Sequence, residues 1–244
     1  MKLIRADWQV PDHIHALTTT RLDGVSRPPY DGLNLGLHVG DDPGAVVQNR
    51  GILMQALGLK LSPQWLSQVH GTGVVEAQPD GQVREADACW SRRPGVACAV
   101  LTADCLPVLF TDSEGSRVAA AHAGWRGLAA GVLEATLRHF PNPGKVQAWL
   151  GPAIGPLAFE VGEEVHARFV SELPETEVAF VHSPTQPGKW LADLYQLARL
   201  RLQAAGVQAI SGGDYCTFTE AEYFYSYRRD GQTGRMASLI WIEG

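Results

Sequence analysis

The chain has 244 residues, 45% of them hydrophobic and 19% charged, which is the balance of a folded globular protein and excludes a disordered one. Lys and Arg total 20 against 26 Asp and Glu, a formal net charge of −6, so the basic face of a dedicated nucleic-acid binder is not expected. The 4 cysteines (Cys89, Cys98, Cys105, Cys216) are too scattered for a disulfide scaffold, and no long apolar run offers a membrane span. The first residues contain no apolar core followed by a small-residue cleavage site, so a cytoplasmic protein with reduced thiols is expected. No repeat or Ser/Pro-rich linker divides the chain, so residues 1–244 are expected to form one domain, with Ser183–Lys189 as a loop.

In chain order, Asp42-Pro43 supplies an N-cap and a proline for the first turn. Val46, Val47, Leu53, Met54 and Leu57 follow on one face, which predicts a helix over about 43–58. The apolar run from Ala97 to Phe110 reads as strand, interrupted by Thr102-Ala-Asp-Cys105, and Arg117–Ala121 reads as a second buried strand. Leu128, Val132, Leu133, Leu137 and Phe140 predict a helix starting near Arg126. Gln147–Leu150 reads as a strand. Val161, Val165 and Phe169 predict one helix, and Leu194, Tyr195, Ala198, Leu202 and Ala205 another. Tyr227–Gly231 reads as a basic turn and Met236–Ile242 as a final strand. The mixture points to an α/β fold with a mixed sheet flanked by helices.

Three metal-capable residues fall where strands should end: His70 after Trp65-Leu-Ser-Gln-Val69, Cys105 within its apolar run, and His122 ahead of Gly124-Trp-Arg-Gly127. Strand ends and the loops after them are where α/β folds bind ligands. The spacing of the three matches no short zinc motif, but one thiolate and two imidazoles make a three-ligand set for Zn²⁺ with a position left for water or substrate. The same residues equally make a metal-free pair, with Cys105 as nucleophile and a histidine as base. Arg126, at a helix start between glycines, is either a phosphate clamp or a solvated arginine of a tight turn. The Tyr227–Asp230 segment could likewise reach a phosphate- or ribose-bearing ligand.

Ordered motifs along nearly the whole chain resemble the YfiH/PgeF family, also called the polyphenol oxidase or laccase-domain family. They include Thr19-Thr-Arg21, Leu33-Asn-Leu-Gly36 with His38-Val-Gly-Asp41, Gln68-Val-His-Gly71, Ala86-Asp87-Ala88 and Thr102-Ala-Asp-Cys105. Ala121-His-Ala-Gly-Trp-Arg-Gly127, Gly151-Pro-Ala-Ile-Gly155, Tyr225-Ser-Tyr-Arg-Arg-Asp230 and Thr233-Gly-Arg235 continue the series. Phe224-Tyr225-Ser226 stands where a Phe-Phe-Ser run is common. The resemblance implies a cysteine-hydrolase-like toxin-domain architecture and Zn²⁺ on His70, Cys105 and His122. It also implies an enzyme that phosphorolyses adenosine, inosine and 5′-methylthioadenosine and deaminates adenosine, with a link to peptidoglycan-precursor editing.

On that basis the expected partners are purine nucleosides and phosphate, not nucleic acid or membrane. Asp104 is a candidate for proton transfer. Arg21, Arg126 and Arg228 are candidate phosphate clamps, and Asn34, Gln68 and Tyr227 candidate substrate contacts. The alternatives are a hydrolase of peptidoglycan precursors using Cys105 and, less in keeping with the residues, a copper-dependent phenol oxidase. With 8 His, 3 Met and the single pair His13-Ile-His15, the chain is poorly supplied for several coppers.

Overall fold

The apolar run of residues 97–110 folds as two strands that belong to different sheets. The computed structural model describes residues 1–244. One sheet has the order β1 (Leu3–Arg5), β2 (Ile14–Thr19), β15 (Met236–Ile242) and β7 (Cys98–Thr102), antiparallel throughout. The second has six strands in the order β14 (Ala209–Gly212), β10 (Val146–Leu150), β8 (Leu106–Asp112), β9 (Val118–Ala123), β6 (Ala88–Ser91) and β4 (Val74–Glu76). Its outer pairs β10/β14 and β4/β6 are parallel and its inner pairs antiparallel, so the sheet is mixed, as the alternation of helices and strands implied. A three-stranded sheet holds β11 (Glu160–Gly162), β13 (Lys189–Ala192) and β12 (Phe180–His182), and β3 (Leu66–Ser67) pairs β5 (Arg84–Glu85).

Period-two alternation sorts the side chains of both large sheets into layers. Cys98 and Val100 of β7, Leu109 of β8, Ala120 of β9, Trp149 of β10 and Ile240 of β15 meet between the two sheets. Ala99 and Leu101, Leu17 of β2, and Leu239 and Trp241 face the other way. They pack with Leu53 of α1 (Pro43–Leu57). On the far side of the six-stranded sheet, Val108, Phe110, Ala119, Ala121 and Ala148 pack beneath α2 (Trp125–Ala130), α3 (Val132–Leu137) and α5 (Leu194–Ala204), with α4 (Glu163–Glu172) alongside. The order is helix, sheet, sheet, helices, so the central strands are buried on both faces. No helix is long and apolar enough to cross a membrane.

Asp42 caps α1 as expected, accepting from the Gly44 N–H at 2.9 Å, and Gly58 closes the helix in the left-handed conformation. Three expectations are corrected. The single helix expected from Arg126 onward is two, α2 and α3, broken at Gly131, whose φ of 97° stops one helix and begins the next. Val161 belongs to β11, because α4 begins only at Glu163. The basic turn at Tyr227 is a short helix, α6 (Tyr227–Asp230), capped by Ser226. The Ser183–Lys189 loop joins β12 to β13 as a hairpin.

Candidate metal centre

The chain crosses from one large sheet to the other between Thr102 and Leu106, and Cys105 lies on that crossing. The turn is tight: Asp104 has a φ of 87° and His70, on the loop after β3, a φ of 60°. Left-handed conformations of this kind in residues other than glycine store strain and cluster at functional sites. His122 lies within β9 and not after it. The three side chains meet. One donor atom from each of His70, Cys105 and His122 lies within 4.8 Å of the others. Cys105 Sγ is 3.9 Å from His70 Nε2, and the two imidazoles meet edge to face at 4.8 Å. Gly124 makes this possible, since a Cβ there would stand 2.8 Å from His70 Cδ2 and 3.0 Å from Cys105 Sγ.

Asp87, fully buried, organises two of the three. Its Oδ1 accepts from the His122 Nδ1–H at 2.8 Å and the His70 N–H at 2.9 Å. Its Oδ2 accepts from the N–H groups of Gly71 at 2.6 Å and Val69 at 3.2 Å. The carboxylate therefore fixes both the ring of His122 and the strained backbone of His70, and leaves His122 Nε2 free to face the cluster. Burial opposes the charge of Asp87, but His122 and the N–H groups of Gly71 and Val69 outweigh it and hold its carboxyl below the usual range. Burial likewise opposes ionisation of Cys105, yet His122 and His70 bring its thiol down to about 6. His122, disfavoured as a cation by burial, is raised to about 9 by the Cys105 thiolate and Asp87. A thiolate and two imidazoles so arranged form a donor set for one first-row ion. Tetrahedral zinc bonds of about 2.0–2.3 Å put neighbouring donors roughly 3.3–3.6 Å apart, so the donors, 3.9 Å apart for Cys105 and His70 and within 4.8 Å overall, would draw together around an ion.

The cluster borders a cavity of about 360 Å³, within the range that holds small-molecule ligands. Asp104, Ile154 and Phe159 form part of its lining, and Tyr227 and Arg228 of α6 another part. Asp104 Oδ1 accepts from Thr217 Oγ1 at 2.7 Å and its Oδ2 from the Arg228 N–H at 2.6 Å, so the carboxylate clips α6 to the crossing. Gln68 lines the cavity while its carboxamide pairs with both backbone groups of Leu101, at 2.7 and 2.8 Å.

Three residues expected at the site lie outside the cavity. Arg126 is exposed, its guanidinium stacked 4.4 Å from the Trp125 ring centroid. Arg21 is ion-paired to Asp31 at 2.9 Å in a separate surface depression. Asn34 is buried in the loop beside α1, where its Oδ1 accepts from the Arg235 N–H at 2.9 Å. The cavity is also lined by Leu101 and Phe159 and by residues that stood in the quoted motifs without an assigned role: His38, Thr102, Ala103, Ile154 and Arg235. Asp87 was quoted only as part of the Ala86-Asp87-Ala88 motif and given no role, because with Arg84 and Glu85 just before it nothing in the sequence marks its carboxylate as buried.

Sheet-to-sheet crossing and donor set together define an α/β protein with one metal-capable His–Cys–His centre bordering a cavity of small-molecule size. The chain belongs to the YfiH-type family, whose model, described as multi-copper polyphenol oxidoreductase laccase, matches residues 15–243. It is 57% identical over 238 residues to a protein of Pseudomonas aeruginosa named purine nucleoside phosphorylase, with 97% of each chain covered. It is 54% identical over 243 residues to the purine nucleoside phosphorylase YfiH of Escherichia coli, with 99% of each covered. The crystal structure of the Neisseria meningitidis protein NMB0706 superposes with a TM-score of 0.96 at 51% identity, with 100% of each chain covered.

Proposed function

We propose that this chain is a zinc-dependent purine nucleoside phosphorylase that also deaminates adenosine, and that residues 1–244 act as one unit. The observation that carries the reading is the meeting of His70, Cys105 and His122 beside a nucleoside-sized cavity, in a chain more than half identical to proteins of that name. The proposed substrates are adenosine, inosine and 5′-methylthioadenosine. Zinc held by these three residues would supply a Lewis acid for the charge that develops in either reaction.

In phosphorolysis a phosphate oxygen bonds to ribose C1′ as the bond from C1′ to purine N9 breaks. The bonding pair leaves with N9, the base takes up the proton that phosphate carried, and the products are free purine and ribose 1-phosphate. In deamination, water replaces the amine of adenosine, giving inosine and ammonia. Asp87 orients His70 and His122 through its four hydrogen bonds. Gln68 holds the end of β7, and Asp104, which lines the cavity, braces α6 through Thr217 and the Arg228 N–H and is the candidate group for proton transfer. A multicopper oxidase is disfavoured because one His–Cys–His cluster is found; His13 bonds the Gly115 carbonyl and His15 stacks on Trp241, so the one His-x-His pair builds no second centre. The test is phosphorolysis of inosine and deamination of adenosine by zinc-loaded protein and by Cys105→Ala. Unchanged turnover in the variant with metal still bound overturns the assignment.

One observation favours a second reading. With its thiol at about 6 beside His122, Cys105 has the character of a nucleophile paired with a base. A metal-free hydrolase of peptidoglycan precursors would use this pair. Full activity on a nucleotide-linked peptide after exhaustive chelation would favour it over the zinc reading.

A further inference from the structure

Five of the sixteen arginines are ion-paired to a carboxylate and eleven are not, but of those eleven only two line the cavity beside the metal-capable cluster. Arg21, Arg84, Arg168, Arg201 and Arg229 are each ion-paired to a carboxylate. Arg228 and Arg235, both lining the main cavity, have no carboxylate partner, and neither does Arg50 in the groove that adjoins it. Arg235 spends one nitrogen, Nη1, on the Thr233 and Gly234 carbonyls, which leaves Nε and Nη2 without a protein acceptor. Arg228 spends only Nη1, on the Glu160 carbonyl.

Both guanidiniums are held from behind. The Arg235 stem lies against Gly36, where a Cβ would come within 2.9 Å of its Cγ, and its backbone N–H is fixed by Asn34. Arg228 lies over the Phe159 ring, with its backbone clipped by Asp104. Beside Arg235, His38 borders the same cavity, and its imidazole is held below its ordinary pKa by burial and then by Arg235 and Arg50. Thr102 pairs in register with Met236, the neighbour of Arg235. It lines the cavity, is 1% exposed, and its hydroxyl has no hydrogen-bond partner. Buried hydroxyls without a partner are rare in folded proteins and call for one.

Resting on the phosphorylase reading, we infer that Arg228, Arg235, His38 and Thr102 form a subsite for inorganic phosphate in the cavity bordered by the His–Cys–His cluster. Two guanidinium forks with free N–H groups, an imidazole and a hydroxyl match the several acceptor oxygens of a phosphate dianion. The neighbouring carboxylate of Asp104 is tied to Thr217 and to the Arg228 N–H, and the two guanidiniums together outweigh its single negative charge. A nucleoside 5′-phosphate carries the same chemistry, and the test separates the two sources.

The test compares zinc-loaded wild type with Arg235→Gln, Arg235→Lys, Arg228→Gln and Thr102→Val. The phosphate KM is measured at saturating inosine and the inosine KM at saturating phosphate. Inorganic phosphate and inosine 5′-monophosphate are also titrated calorimetrically without nucleoside. Arg235→Gln and Arg228→Gln are expected to raise the phosphate KM at least about tenfold and the inosine KM less than about threefold. Arg235→Lys should recover part of the loss, Thr102→Val should raise the phosphate KM severalfold, and the heat of phosphate binding should vanish in Arg235→Gln. If Arg235→Gln does not fold, Arg228→Gln, on an exposed helix, carries the same comparison. An unchanged phosphate KM, or an equal rise for inosine, overturns the subsite. So does Arg235-dependent binding of the 5′-monophosphate without binding of inorganic phosphate. If the wild type performs no phosphorolysis, the functional reading fails on its own account, and the titration alone decides the subsite: Arg235-dependent binding of phosphate upholds it and no binding ends it.

Discussion

Replacing Asp87 with asparagine keeps the side chain's shape and exchanges one acceptor oxygen for a donor. Each carboxylate oxygen accepts two N–H groups: Oδ1 from His70 and His122, Oδ2 from Val69 and Gly71. Whichever way the amide turns, two N–H donors then face an NH₂ group. At about 1–3 kcal/mol for each unsatisfied donor, the variant should lose roughly 2–6 kcal/mol, a large share of the ~5–15 kcal/mol that keeps a domain folded. Because the folded-state pKa of Asp87 lies below the usual range, this stabilisation is complete above about pH 4 and is lost as pH falls through the lower folded value. The gap between wild type and variant should therefore be wide at pH 7 and narrow in stronger acid. Denaturant unfolding of the metal-free proteins at several pH values measures it, and competition with a zinc chelator should show affinity about 10–100-fold weaker. A variant that unfolds within about 1 kcal/mol of wild type at pH 7 and holds metal equally well would refute the role of Asp87.

The remaining predictions concern the cluster and its surroundings. Gly124→Ala should retain the wild-type far-UV circular dichroism but bind zinc at least about tenfold more weakly, because its Cβ would meet His70 Cδ2 and Cys105 Sγ. In metal-stripped protein, alkylation of Cys105 should rise with pH around a midpoint near 6. His122→Ala should move that midpoint upward, and zinc should suppress the reaction; a midpoint near the ordinary thiol value of about 8.5 would contradict the Cys105–His122 pairing. Arg126→Ala should leave the KM for phosphate and for nucleoside unchanged in steady-state assays, since the side chain stacks on Trp125 outside the cavity.

The three cluster residues were legible because Cys105 and His122 break apolar segments and His70 stands at a strand end ahead of Gly71-Thr-Gly73, each a metal-capable side chain where a ligand site is expected. Helix α1 was legible to its ends because Asp42, Pro43 and Gly58 punctuate it locally. Gly131 carried no comparable signal: the spacing from Leu128 to Phe140 continues in phase across it, and only the left-handed backbone reveals the break. Arg126 looked better placed than Arg235, because a helix start is visible in sequence and a strand register is not. Arg235 reaches the cavity only because β15 pairs with β7 and Asn34 fixes its backbone, contacts that span most of the chain. Thr102, opposite Met236 in the same register, stood in a quoted motif but its place beside Arg235 was hidden for the same reason.

The position of β15 bears on how the protein folds. The strand lies between β2 and β7, both far earlier in the sequence, so neither has its inner partner until residues 236–242 dock. Pairings so remote in sequence are slow to form, and until they do, β2 and β7 present open edges to other chains. Arg235 and the register opposite Thr102 arrive with the same strand. A folding chain can thus bring His70, Cys105 and His122 together before the cavity wall beside them is complete. Zinc capture and phosphate binding should appear in that order during refolding, and the interval between them is when the protein is most exposed to aggregation.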